Sequence, residues 1–433
     1  MSMLSRRIFI QDGFKVVSLG LAMPHIFTRA VQAAGLEAGR DPSVLNVPGS
    51  GDANDPLANR TLVVVQMAGG NDGLNTVVPY ADGNYYQNRK TLAIPAEQVL
   101  PLDDRFGLHP AMGGMKALWD SGNLVIVHGV GYPNPNFSHF KSMDIWQTAN
   151  VDGKDGDEGW LAKLVKGVVD KRGHPFAGFA ASGTLPPALM APDLSVPAVD
   201  NINNFKLLPD PRYAADAPAR QQALVNLYNA YPGSAPFAQV LQTTEQGTLE
   251  SIDQLQKAHA AYQPAVEYPK DGFSAGLRLL AETIVGGLGV KVGYITIGGF
   301  DTHSNQKNTQ ARLLQSLSDG LKAFWDDLAA HGKADNVLIM TWSEFGRRVP
   351  ENGSAGTDHG TAAPQFLIGS QLKGGHWGDP VDLGNLDKGN LRFTTDFRSV
   401  YSTVMDGWLG APAEKLLGAR FQPLGFLGSG GAG

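Results

Sequence analysis

No cysteine occurs in the 433 residues, which excludes a disulfide scaffold, a thiol nucleophile and any thiolate metal site. After the first thirty-odd residues, no stretch has the 18 or more uninterrupted apolar residues of a membrane span, so no transmembrane anchor is expected. Charge is sparse as well: 18% of residues are Asp, Glu, Lys or Arg, and the formal net charge is −6. A mildly acidic chain lacks the basic footprint of a nucleic-acid or anionic-membrane binder. Gly 53 and Pro 27 stay below the roughly 25–30% that marks low-complexity chains. What is present is a chain that is 42% hydrophobic. Its length allows two or three domains, or one large α/β domain with an insert.

The first residues read as an export signal rather than as structure. Ser5-Arg6-Arg7-Ile8-Phe9-Ile10 is a twin-arginine pattern, Val16 to Phe27 is modestly apolar, and Val31-Gln32-Ala33 is a cleavage triplet. The plainer alternative is an amphipathic first helix. With residues 1–33 as a signal peptide, the protein is periplasmic or secreted through the twin-arginine pathway. That route carries folded chains, which suits one with no cysteine to oxidise. Residues 34–60, rich in Gly, Pro, Asp and Asn, form a linker. Residues 61–425 form a single α/β domain, and 426–433 a flexible tail.

Leu62 to Met67 is a continuous β-branched run, the mark of a strand buried on both faces of a parallel sheet. Further strands are predicted at Leu124–Val130, Val292–Ile297, Val337–Thr341 and Gln365–Ile368. Helical patterns fall at Pro110–Trp119, Ser138–Thr148, Ser274–Ile284, Thr309–Ala330, Phe397–Trp408 and Pro412–Leu417. This alternation predicts a mostly parallel sheet with helices on both faces. Residues 151–270 break the rhythm, with helical patterns at Trp160–Asp170, Arg220–Tyr231 and Phe237–Tyr262, and read as a helical insert or cap.

In such sheets ligands bind beyond the carboxyl ends of the strands, and the residues there are selective. Asn71 and Asp72 follow the first strand, Ser138 and His139 the second, Asp301 and His303 the third, and Glu344 the fourth; Asp358 and His359 lie in the loop entering the last. Oxygen and imidazole ligands without sulfur suit Zn, Mg, Ca or Mn. Each residue also has a plain structural reading. Asp72 could form a turn, Asp301 or Ser138 could cap a helix, and Asp358-His359 could be ordinary loop. His109 and His128 read as structural histidines. Ser138 at a helix N-terminus stands where an anionic ester would be attacked, provided a base or a metal activates it.

The runs LVVVQMAGGNDGLNTVVPY, DRFGLHPAM, VHGVGYPNPNFSHFKSMDIWQTA, GGFDTHSNQ, LIMTWSEFGRRV and GTDHGTAAPQFLIG resemble the bacterial exported proteins grouped as domain-of-unknown-function family 1501. The resemblance spans Leu62 to the C-terminus and implies the fold of the alkaline phosphatase and sulfatase superfamily. It implies metal binding at Asp72, Asp301, His303, Glu344, Asp358 and His359, with Ser138 as nucleophile. Two departures accompany it. One residue separates Asp301 from His303 where the superfamily has three, and Phe345 stands where the pattern has a histidine. SHFKS around Ser138 does not match the motif that becomes formylglycine.

The expected function is that of an exported hydrolase of phosphate or sulfate esters using one or two divalent cations. Arg347, Arg348 or Lys141 would add positive charge. The alternative is a non-catalytic exported protein that keeps the fold and binds a ligand or an exported partner. GGNDG lacks the full glycine fingerprint of a dinucleotide site, so an oxidoreductase is disfavoured.

Overall fold

The computed structural model describes residues 59–152, 158–168, 175–192, 194–205 and 251–428, with the single positions 57, 219, 223 and 226. The expected signal, most of the linker, the helix over 220–231, the first part of that over 237–262 and the tail from 429 lie outside the described residues.

In chain order, the described elements begin with β1 (Thr61–Ala68), the short helices α1 (Gly73–Thr76) and α2 (Gly83–Asn88), and the small strands β2 (Val77–Val78), β3 (Leu100–Pro101) and β4 (Gly107–Leu108). Then come α3 (Gly113–Asp120), β5 (Leu124–Gly131), α4 (His139–Thr148), α5 (Trp160–Val168) and β6 (Gly178–Ala180). After the helical run 251–261 follow α6 (Gly272–Val285), β7 (Val292–Gly298), α7 (Gln306–Ala330), β8 (Val337–Trp342) and β9 (Ala363–Ile368). The chain finishes with β10 (Gly375–Trp377), β11 (Thr395–Asp396), α8 (Phe397–Leu409) and α9 (Ala413–Leu417).

The main sheet runs β10-β5-β9-β8-β1-β7-β6, with β11 also on β5. β1 lies parallel between β7 and β8, whereas β9 runs antiparallel to both of its neighbours. The sheet is therefore mixed but mostly parallel. β1 is buried on both sides, as its unbroken run of branched residues requires. Val63, Val65 and Met67 pack on one layer with Leu118 of α3, Leu280 of α6 and Phe324 of α7. Leu62 and Val64 face the other layer, with Trp146 of α4, Leu161 of α5 and Trp408 of α8. Burying each such side chain stabilises the fold by about 1.5–3 kcal/mol relative to leaving it in water.

The stretch expected to be a cap is in part core. β6 extends the sheet alongside β7, and Trp160 of α5 stacks on Tyr401 of α8 with ring centroids 3.9 Å apart. Three residues, Gly-Phe-Ala, are too few for any periodicity to reveal a strand.

The registers bring one set of chain ends together. Ala68 pairs with Gly298, Gln66 with Trp342, and Val130 with Ala363. The exits of β1, β5, β7 and β8 and the entry to β9 thus share one edge of the sheet.

Candidate metal centre

β1 leaves the sheet through Gly69 (φ +122°) and Gly70 (φ +75°), conformations that favour glycine. Space demands glycine too. A Cβ on Gly69 would lie 2.3 Å from the Asp301 amide nitrogen, and one on Gly70 would lie 2.2 Å from the Phe345 ring. The loop after β5 is tied down by Tyr132, whose hydroxyl accepts from the Asn136 amide at 3.0 Å and meets Ser142 Oγ at 2.8 Å. Ser142 in turn donates to the Glu344 carbonyl. The first turn of α4 is thereby fastened to the loop after β8.

Three histidines converge on this edge with one common arrangement. His139 Nδ1 lies 2.8 Å from Glu344 Oε1, His359 Nδ1 lies 2.7 Å from the Phe137 carbonyl, and His303 Nδ1 lies 3.3 Å from Asp358 Oδ1. A ring nitrogen that faces an oxygen acceptor carries the hydrogen, so in a neutral ring Nε2 keeps its lone pair. All three Nε2 atoms turn to Asp301. That of His139 is 3.4 Å from Oδ2, and those of His303 and His359 are 3.1 and 3.2 Å from Oδ1. The last two nitrogens are 2.9 Å from each other.

Lone pairs gathered around a carboxylate repel unless positive charge lies among them. His139 Nε2 is buried with no hydrogen-bond partner, and the ligand atoms of His139, Asp301 and His359 all fall within 4.8 Å of one another. A tetrahedral cation with bonds of about 2.0–2.1 Å holds its ligands about 3.3 Å apart, close to the separations seen. This donor set fits a divalent cation. The oxygens on each Nδ1 are the orienting partners that metal-binding histidines need.

Arg347 holds the nest together. It is fully buried and donates to the carbonyls of Gly69, Gly70, Thr357 and Phe300, and to Asp301 Oδ1 at 2.8 Å. Burial raises the Asp301 carboxyl pKa, but the hydrogen bond from Arg347, the neighbouring His359 ring and the charges of Arg347 and His303 outweigh it and hold it at about 2. Burial pushes His359 below the usual imidazole value, against the opposing pull of the Phe137 carbonyl and Asp301. Asp358 is held below the carboxylate range by the Asn352 amide and His303, over the opposing effect of burial. Phe345, 2% exposed, stacks near both His139 and His359 and forms an apolar wall where the superfamily pattern has a ligand.

The remaining sequence candidates are distributed as follows. Asp72 stands apart: both of its oxygens are taken by Arg89, and Gln306 donates to Oδ2 as well, all in the interior. Expected as a metal ligand, it stands in a buried ion pair outside the histidine cluster. Ser138 is exposed at the N-cap of α4 and makes no side-chain cap bond. Its chain neighbours are Phe137 and His139, which both touch the centre. Glu344 and Asp358 contact the Nδ1 atoms of His139 and His303. Asp301 caps no helix, because α7 begins after Asn305. His109 accepts from the Ala111 amide at 3.0 Å, a structural role. Arg347 is consumed within the protein, Arg348 donates to the Lys388 carbonyl, and Lys141 pairs with Asp144. His139 was visible in the sequence beside Ser138 but was not among the expected ligands. Its signal was its place at a strand-end helix with a carboxylate, Glu344, available from the next loop.

Comparison with known proteins adds the following. The family profile described as "Protein of unknown function (DUF1501)" matches residues 59–390. No curated protein matches the sequence. Ps i-CgsB in complex with k-i-k-neocarrahexaose is similar at 10% identity and a TM-score of 0.38, over 83% of this chain and 74% of that one. The C-terminal periplasmic domain of EcEptC from Escherichia coli, in complex with Zn, shows 11% identity and a TM-score of 0.36 over 72% of each chain. PsFucS1 sulfatase from Pseudoalteromonas sp. shows 12% identity and a TM-score of 0.33 over 92% of this chain and 72% of that one. Likenesses this distant carry no argument about chemistry here.

Proposed function

The chain belongs to the DUF1501 family of proteins of unknown function, and from that premise we propose that it is an exported, metal-dependent hydrolase of phosphate or sulfate esters. One observation carries the reading: three histidines, each with Nδ1 on an oxygen, direct Nε2 at the single carboxylate of Asp301. The assigned ligands are His139, Asp301, His303 and His359, with Glu344, Asp358 and the Phe137 carbonyl behind them. A donor set rich in imidazole favours Zn over Mg, Ca or Mn. A bound cation supplies Lewis-acid charge to an ester oxygen and eases deprotonation of a nearby hydroxyl.

The chain's own groups do the rest. Ser138 offers a hydroxyl uncommitted to its helix, and the positive N-terminal end of the α4 dipole favours an anionic ester beside it. Asp301 stays ionised under Arg347, and Phe345 keeps water from the inner face of the two histidine rings. Export rests on the twin-arginine pattern in 1–33. Among the described residues no helix is long and apolar enough to cross a membrane.

The second reading, a non-catalytic exported protein binding a ligand or partner, draws on Asp72. The residue matching a superfamily metal aspartate is neutralised by Arg89. Purified mature protein, analysed for metal and assayed on 4-nitrophenyl phosphate and sulfate beside Ser138→Ala and Asp301→Ala, separates the two. Bound metal with turnover that both variants lose supports the hydrolase. Metal without turnover supports the binding protein, and absence of both overturns the metal centre.

A further inference from the structure

A cavity of about 390 Å³ opens between α1, β5 and the start of β9 and shares no residue with the metal centre. Its walls mix polar surface with apolar side chains, Leu74, Val77, Phe106, Leu383 and Leu391 among them. Pockets of this size and character hold small organic ligands, oriented by a few polar groups.

Two polar side chains here keep hydrogen-bonding atoms unused among the described residues. Arg105 stacks its guanidinium over Phe106, 5.0 Å from the ring centroid, and forms no ion pair among the described residues. The other is His128, 4% exposed. Its Nε2 meets His376 Nδ1 at 2.8 Å, and His376 Nε2 lies 3.4 Å from Asp103 Oδ2. With Nε2 turned to His376, Nδ1 is the second hydrogen-bonding atom of the His128 ring. That nitrogen has no hydrogen-bond partner among the described residues. Burial, and next the neighbouring His376, drive the His128 pKa down to about 3, so the ring is neutral. The third polar wall residue, Asp82, is committed to the Asn84 amide as the cap of α2.

The strand itself is adapted at this point. β5 breaks register with β9 between Val127 and Val130, and Gly129 in the break has φ +57°. Such bulges re-aim side chains beside binding sites. Here both bulge residues, His128 and Gly129, line the cavity.

We propose that this cavity binds an apolar hydroxy acid, with its carboxylate on Arg105, its hydroxyl hydrogen-bonded to His128 Nδ1 and its hydrocarbon body against the leucine and phenylalanine walls. The assignment is independent of the hydrolase reading, because no group of the metal centre takes part.

The test is calorimetry and saturation-transfer NMR on the full mature protein with 3-hydroxyoctanoate, octanoate and 1-octanol. The hydroxy acid is expected to bind tightest and the alcohol weakest. Arg105→Gln removes a charge-assisted contact and should weaken the acids about tenfold while leaving the alcohol unchanged. Gly83→Phe adds bulk at the cavity wall, where a Cβ meets nothing within 4 Å, and should weaken all three ligands without unfolding the chain. The proposal is overturned if 1-octanol binds as tightly as the acids, if neither variant changes affinity, or if no ligand binds.

Discussion

His139 Nδ1 and Glu344 Oε1 face each other across 2.8 Å, a carboxylate with no solvent exposure against a ring that is 26% exposed. The same oxygen accepts the Gly69 amide at 2.9 Å. Glu344 thus fixes both the backbone turn after β1 and the direction of the His139 ring. Replacing it by glutamine keeps an acceptor for both donors but removes the charge that makes the ring a stronger ligand. Glu344→Gln should bind metal about 10–100-fold more weakly while remaining folded, measured by competition with a chromophoric chelator. Unchanged affinity would remove Glu344 from the metal centre.

The Asp72–Arg89 pair makes the opposite prediction. Both side chains are buried, and deleting one partner strands a charge in the interior at a cost of about 3–5 kcal/mol. Arg89→Ala should therefore lose that much stability in urea unfolding. Asp72→Asn should retain bound metal, whereas Asp301→Asn should lose it. Loss of metal from Asp72→Asn would return that residue to the ligand set.

Removing the cation should lower the melting temperature, since a ligand of the native state at 100 times its Kd contributes about 2.7 kcal/mol. Chelator followed by added zinc is expected to depress and then restore the transition in the wild type. His139→Ala should respond weakly to both. A wild-type transition indifferent to chelator would count against a resident metal.

Two histidines set an acid limit away from the centre. Burial holds the His109 pKa at about 4 and that of His128 at about 3, each below the ordinary 6.5. The unfolded chain takes up protons at these positions before the native one does. Their stabilising effect is complete above about pH 6.5 and declines as pH falls toward the native values. Urea midpoints measured from pH 7.5 to 4 should fall accordingly, and His109→Asn should flatten the slope. An unchanged slope in that variant would assign the acid response elsewhere.

The fold was legible where burial writes itself into local sequence. Five strands and seven helices stand close to their expected positions because β1 is apolar on both faces and α7 keeps one stripe turned to the core. β6, β10 and β11 are too short to leave such a pattern. At the candidate centre, the strand-end rule located Asp301, His303, Glu344, Asp358 and His359. Their roles depend on which ring nitrogen faces which oxygen, and spacing does not encode that. The buried pairing of Asp72 with Arg89 and Gln306 left no local pattern, because those residues become its neighbours only in three dimensions. His139 was passed over because the adjacent serine is the more familiar reacting group at a helix N-terminus.

Arg347 joins carbonyls at residues 69, 70, 300 and 357 to the carboxylate of Asp301. Contacts of such long sequence separation form only after extensive loop closure. During synthesis the nest therefore cannot close until the ribosome has released the chain past residue 359. A cation held there would be captured late in maturation, and its loading would report that β1, β7 and β8 have already been brought together.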